Sequence, residues 1–169
     1  GACPGAITQD QITVFVYDNT AAVANAGTDQ DLCTPTTTAN MSANSPVGPA
    51  IGTWTLAGGG GTIQQPNNPN TAITNMPVGI NTFTWTIVNG PCGSSNDQVV
   101  IRVYNALNPI ANAGNDQSIC TPNSTVTLAG SNIITPAVGT WTLVSGTGTV
   151  QQPNNPLSTV TGLAVGENV

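Results

Sequence analysis

Thr82-Phe83-Thr84-Trp85-Thr86-Ile87-Val88 alternates large apolar side chains with threonine. Successive side chains of a strand point to opposite faces, so Phe83, Trp85 and Ile87 share one face. Threonine is itself a strand former, and the pattern predicts a half-buried strand. Turn signals bound it, Pro77-Val78-Gly79 before and Asn89-Gly90-Pro91 after. On the C-terminal side, 97–104 turns Val99, Ile101 and Val103 inward. On the N-terminal side, 71–76 places Ile73 inward, and 62–65 reads as a short edge ended by Pro66 and Pro69. Further back, 52–56 sets Trp54 and Leu56 on one face, and 37–43 turns Ala39 and Met41 inward. The segment 24–32 reads as the first strand. Gly59 and Gly61 sit in a glycine run and are expected to need positive φ. Seven short strands without a helical period predict an all-β fold of two packed sheets, an immunoglobulin-like β-sandwich.

The whole pattern recurs 87 residues later. Asp29 matches Asp116, Cys33 matches Cys120 and Trp54 matches Trp141. Laid without gaps from 20–82 onto 107–169, 30 of 63 positions are identical. Asp10-Gln11 and Val16-Tyr17 match Asp97-Gln98 and Val103-Tyr104 at the same offset. A fixed period of this size is the mark of a tandem array. Residues 1–19 are therefore expected to be the C-terminal strand of a preceding repeat, with Ile12, Val14 and Val16 inward. Residues 20–106 form one complete repeat, and 107–169 form the next, stopping before its last strands. The predicted core is Trp54, Trp85, Phe83, Leu56, Val99, Ile101 and Val103, with Trp141 and Leu143 in the following repeat.

Composition narrows the function. Charged residues are 5% of the chain, with no His, a single Arg (Arg102) and a net charge of −6. Neutral polar groups must cover the surface. No basic patch is present to neutralise phosphates, so nucleic acid is not an expected partner. No apolar run approaches the length of a membrane span, and membrane insertion is not expected.

Ala24-Asn25-Ala26-Gly27-Thr28-Asp29-Gln30 and its copy 111–117 resemble the opening of PKD-like domains. So does Val126-Thr127-Leu128-Ala129-Gly130-Ser131. Together with Gly52-Thr53-Trp54-Thr55, Phe83-Thr84-Trp85-Thr86 and Asn89-Gly90-Pro91-Cys92-Gly93, they are similar to PKD/Ig-like tandem repeats of giant Bacteroidota surface proteins. Such arrays occur among gliding-motility adhesins and cargo of the type IX secretion system. The resemblance implies an extracellular, cell-surface location and a structural role. One departure stands out: the glycine run 58–61 carries no carboxylate, unlike the acidic turn of many PKD domains.

The candidate sites are few. Catalysis by general acid and base needs His or tuned carboxylate pairs. Only Asp29 and Asp31 lie close, and Asp31 becomes Ser118 in the next copy. No catalytic, cofactor-binding or metal-binding residue is expected, and a calcium site would have only one or two Asp per junction to draw on. The loop Gln64-Gln65-Pro66-Asn67-Asn68-Pro69 recurs intact as Gln151-Gln152-Pro153-Asn154-Asn155-Pro156. It reads either as a turn capped by its own amides or as a contact surface. Four cysteines at fixed places in the period point to disulfides in an oxidising compartment. Cys33–Cys92 is the simplest bond within one repeat. A plain sandwich order would set the two at opposite poles, and the alternative joins Cys92 to the neighbouring repeat. Cys3 and Cys120 find partners outside the chain under either scheme.

The expected function is a non-enzymatic extracellular spacer, one bead of a long surface adhesin or fibre. Its partners would be neighbouring repeats, and through them surface polysaccharide or other cells. Two alternatives remain: a filament whose subunits are completed by strand exchange, and a carbohydrate-binding module.

Overall fold

The structure is a computed structural model that describes residues 10–20, 23–107 and 110–169. Cys3 lies outside the described residues. Ten strands follow in order: β1 (Gln30–Cys33), β2 (Ala39–Asn40), β3 (Ile51–Gly58), β4 (Thr62–Ile63), β5 (Ala72–Thr74), β6 (Gly79–Val88), β7 (Ser94–Tyr104), β8 (Val126–Thr127), β9 (Thr149–Val150) and β10 (Thr159–Thr161).

The first seven build a β-sandwich. One sheet has the order β1-β7-β6-β3, the other β2-β5-β4. All ladders are antiparallel except β1 on β7, which is parallel. The quoted stretch is the centre of β6, between β3 and β7. Phe83, Trp85 and Ile87 are buried, and the threonines between them are half-buried. Trp54 of β3 lies opposite Trp85 of β6, with ring centroids 5.1 Å apart at a 42° tilt. Val99, Ile101 and Val103 of β7 line the same interior, which Ala39, Met41, Ile73 and Met76 close from the other side. Every member of this core lies between Ala24 and Val103. The unit thus carries a hydrophobic interior of its own.

Three expectations need correction. Leu56 is 46% exposed. It lies on β3, the edge strand, next to a register shift between Leu56 and Gly58, so the rim of the sandwich leaves it without an outer neighbour. Of the predicted first strand, only Gln30–Cys33 is in a ladder; the preceding residues run beside β7 and bond to its side chains instead. Residues 10–20 form no strand, and Ile12, Val14 and Val16 are exposed, because no ladder partner lies beside them.

In 110–169, β8, β9 and β10 stand 87 residues beyond β2, β4 and β5 and form the same three-stranded arrangement. The counterparts of β1 and β3 carry much the same residues but form no strand. Their ladder partners are β7 and β6, and nothing within 110–169 takes those places. Trp141 is consequently half-buried, and Leu143 is 46% exposed, contrary to a core position. An apolar cleft of about 310 Å³ opens beside Trp141, lined by Ala111, Ile133, Val138 and Pro156 among others.

Candidate interface at the repeat junction

The recurring polar residues show what the period preserves. The Gln-Gln-Pro-Asn-Asn-Pro loop folds onto the free edge of β3. The Trp54 N–H donates to Pro66 O at 2.8 Å, and Asn67 Nδ2 donates to Gly52 O at 2.8 Å and to Thr53 Oγ1 at 3.0 Å. Asn68 Nδ2 donates to Gln65 Oε1, and Gln64 Nε2 to Thr74 Oγ1. The buried Thr71 hydroxyl receives the Gln65 N–H. The second copy repeats this bond for bond. Trp141 N–H donates to Pro153 O, Asn154 Nδ2 to Gly139 O and Thr140 Oγ1, Asn155 Nδ2 to Gln152 Oε1, and Gln151 Nε2 to Thr161 Oγ1. An open strand edge invites pairing with another chain. The loop blunts that edge with amides and prolines. These amide groups are engaged within the bead, as the reading of a turn capped by its own amides expects, while Gln64, Gln65 and Asn67 remain exposed.

Two recurring aspartates stitch the first segment to β7. Asp97 Oδ2 accepts the N–H of Ala26 at 2.9 Å, and Asp29 Oδ1 accepts the N–H of Val100 at 2.9 Å. Each carboxylate stands in for a ladder carbonyl of the opposite segment. Asp29 also pairs with Arg102 at 3.2 Å, and Asp31 lies 3.7 Å from the same guanidinium. The Val100 N–H holds the Asp29 carboxyl below its ordinary value of 3.8, with Arg102 helping and desolvation opposing. Among the described residues, no group of three or more His, Cys, Asp or Glu is placed to hold a metal ion.

The sequence reading missed Asn81. It is fully buried between Gly79 and Thr82 on β6. Its Oδ1 accepts the Gly60 N–H at 2.9 Å, and its Nδ2 donates to Pro77 O at 3.1 Å. Asn168 does the same for Thr147 and Ala164. The signal was available: Asn81 falls on the inward register of Phe83 and Trp85, and an asparagine recurs there at the period. The amide ties the glycine turn to β6, where Gly59 and Gly61 have φ of +77° and +130°. A Cβ on Gly59 would stand 2.4 Å from Ile80 O, so the backbone itself requires glycine there.

The cysteines sit at the two ends of the sandwich. Cys33 ends β1 opposite Tyr104, the last residue of β7, whereas Cys92 precedes the first residue of β7. The strand between has 11 residues, roughly 36 Å at about 3.3 Å each. A disulfide needs Cα atoms within about 7 Å. The bond within one repeat is therefore corrected: Cys33 and Cys92 are both free and exposed, as is Cys120.

Cys92 meets the residues that precede the repeat. It lies in a single 3-10 turn, Gly90–Cys92, closed by Asn89 N–H to Gly93 O at 2.7 Å. The ring of Tyr17 lies over Gly90, where an added Cβ would come within 2.4 Å of Cζ. Asn89 Nδ2 donates to Asp18 O at 2.8 Å, and Cys92 Sγ lies 3.9 Å from Tyr17 O. The linker is itself shaped by a side chain: Asp18 Oδ1 accepts from the N–H and hydroxyl of Thr20, which lowers its pKa. One period on, Asn105 Oδ1 accepts the Leu107 N–H in the same way. Asp18 and Thr20 are thus tied to each other, and the 89–93 loop rests on Tyr17 and Asp18.

No family model and no curated protein matches the chain. Among solved structures it is similar to the solution structure of the PKD domain from KIAA 1837 protein, at 23% identity and a TM-score of 0.45, covering 53% of this chain and 92% of that one. It is likewise similar to the PKD domain (329–428) of human KIAA0319, at 17% identity and a TM-score of 0.44, covering 57% of this chain and 88% of that one. The all-β sandwich is read from strand order and core.

Proposed function

We propose that the chain is a non-enzymatic extracellular structural module, a stiff spacer repeated along a surface adhesin or fibre of a Bacteroidota-type array. One observation carries this reading. The polar residues that recur at the period are engaged in holding the bead: Asn67 and Asn154 on the Trp strand, Asn81 and Asn168 in the glycine turn, and the Gln-Asn clamp of each loop. What the repeat preserves is scaffold. The junction is short in sequence and in one copy carries a proline, which restricts bending, and Asp18 and Asn105 each tie the residue two positions on. Many such beads extend reach, and many copies of a weak terminal contact give avidity. Gliding motility and type IX secretion belong to this proposal as the setting the sequence resemblance implies.

Protease shaving of intact cells tests the location. Removal of the protein before lysis is expected, and survival until lysis would contradict the reading. A second reading, completion by strand exchange, has its own observation. Ile12, Val14 and Val16 stand exposed with the β7 pattern, while the cleft beside Trp141 is open. Sedimentation of the 169-residue chain separates the two: a concentration-dependent oligomer favours exchange, a monomer the spacer.

A further inference from the structure

Tyr17 and Tyr104 are the same residue of successive repeats, and each shows one side of the same joint. At Tyr104, β1 of the same bead supplies the contact. Cys33 is its ladder partner, and the Thr34 N–H donates to Tyr104 O at 2.9 Å. At Tyr17, the following bead supplies the contact, and Cys92 Sγ lies 3.9 Å from Tyr17 O. The two cysteines of the period therefore flank one carbonyl oxygen, each from a different bead. They also approach it on the same face. Val99, Ile101 and Val103 point into the core, so Tyr104 points outward, and Leu32 packs on the core, so Cys33 points outward beside it. The 89–93 loop covers the ring of Tyr17, and so comes from that outward side too. Cys33 stands about 5 Å from Tyr104 across the ladder, and Cys92 Sγ lies 3.9 Å from the carbonyl of Tyr17, the residue that matches Tyr104, so the two cysteine types converge on one place in the joint, where a disulfide asks for Cα atoms within about 7 Å.

We infer that successive beads are joined by a disulfide between the Cys33-type cysteine of one repeat and the Cys92-type cysteine of the next. The inference builds on the spacer reading but concerns a bond that reading does not require. Two thiols lose two protons and two electrons. A disulfide reagent such as oxidised glutathione accepts them and leaves as two thiols. Both cysteines are exposed, so the reagent can reach them. The inferred partners of Cys33, Cys92 and Cys120 all fall at repeat positions outside the 169 residues, consistent with their being free here.

The test uses residues 20–106 placed twice in succession, since that unit holds its own core. Variant one carries C92S in the first copy and C33S in the second, leaving the inferred pair. Variant two carries C33S in the first and C92S in the second, leaving the pair at the far ends. Both are refolded with oxidised and reduced glutathione, then titrated for thiols and mapped by mass spectrometry. Variant one is expected to show no free thiol and a Cys33–Cys92 cross-link between copies; variant two is expected to keep both thiols free. Circular dichroism checks that both are folded. A folded variant one that keeps two thiols overturns the inference while leaving the spacer untouched. An unmodified tandem whose map shows Cys33 bonded to Cys92 of the same copy overturns it as well. Loss of the bond with a folded, rod-like tandem counts against the staple alone, whereas a flexible tandem counts against the spacer.

Discussion

Gly52→Ala places a methyl group in the most crowded part of the bead. The new Cβ would stand 2.2 Å from Cζ2 and 2.4 Å from Cη2 of Trp85, and 2.9 Å from Cγ of Pro46. Carbon atoms in contact prefer about 3.5–4.0 Å, so the indole would have to retreat by more than an ångström. It has nowhere to go. Trp85 is fully buried, its ring lies against Trp54, and its N–H donates to Asn44 O at 3.1 Å. Overpacking of this kind costs about 1–3 kcal/mol, and a rigid, hydrogen-bonded ring places the cost near the top of that range. Replacing glycine in a strand returns about 0.5–1 kcal/mol of chain entropy. The net expectation is a loss of about 2 kcal/mol, or roughly 8–16 °C in Tm for a unit of this size. Urea unfolding of residues 20–106, followed by circular dichroism, measures it. Trp85→Phe removes the benzo edge that the methyl strikes, at a cost of its own in cavity and hydrogen bond. The double variant should therefore lose at least 1 kcal/mol less than the two single losses added. A neutral or stabilising Gly52→Ala, or strict additivity, would refute the packing argument.

Three further outcomes follow from the same geometry. Asn67→Ala removes two hydrogen bonds to β3 and is expected to cost about 1–2 kcal/mol in the same urea assay, with light scattering rising as the β3 edge opens. Asp97→Ala leaves the N–H of the buried Ala26 without an acceptor and should cost about 1–3 kcal/mol, while Asp97→Asn, which keeps an oxygen, should lose less. Asp29 has a lowered pKa in the fold, so its charge stabilises above the unfolded value near 3.8, and the benefit fades as pH falls through the still lower folded value. The stability gap between the native chain and Asp29→Asn should therefore be full at pH 7 and close below about pH 4; a gap unchanged down to pH 2 would disprove the charge role.

The alternation of β6 and β7 was enough to read both strands and their inward faces, and that of β3 added Trp54 to the core. Period-2 patterning needs no knowledge of partners. Leu56 and Ile12, Val14 and Val16 show where the pattern alone falls short. They alternate as core residues do, but whether a face is covered depends on a neighbouring strand that local sequence does not contain. The segment around Trp141 makes the same point: it repeats Gly52-Thr53-Trp54-Thr55-Leu56 residue for residue, yet forms no strand without a β6 beside it. The amide loop and the paired aspartates were visible as recurrences. Their purpose was not, because each bonds to a residue many positions away. The junction was half legible. Spacing placed Cys33 and Cys92 at opposite poles, but only the fold sets Cys33 beside Tyr104 and Cys92 beside Tyr17.

The proposed function makes the chain one stretch of a stiff row of similar beads. Small-angle X-ray scattering on chains of one, two, three and four repeats tests it most directly. The maximum dimension is predicted to grow by a constant step of roughly 36 Å per repeat, the length of an 11-residue β7. Growth with the square root of repeat number, as beads on flexible linkers would give, would contradict it.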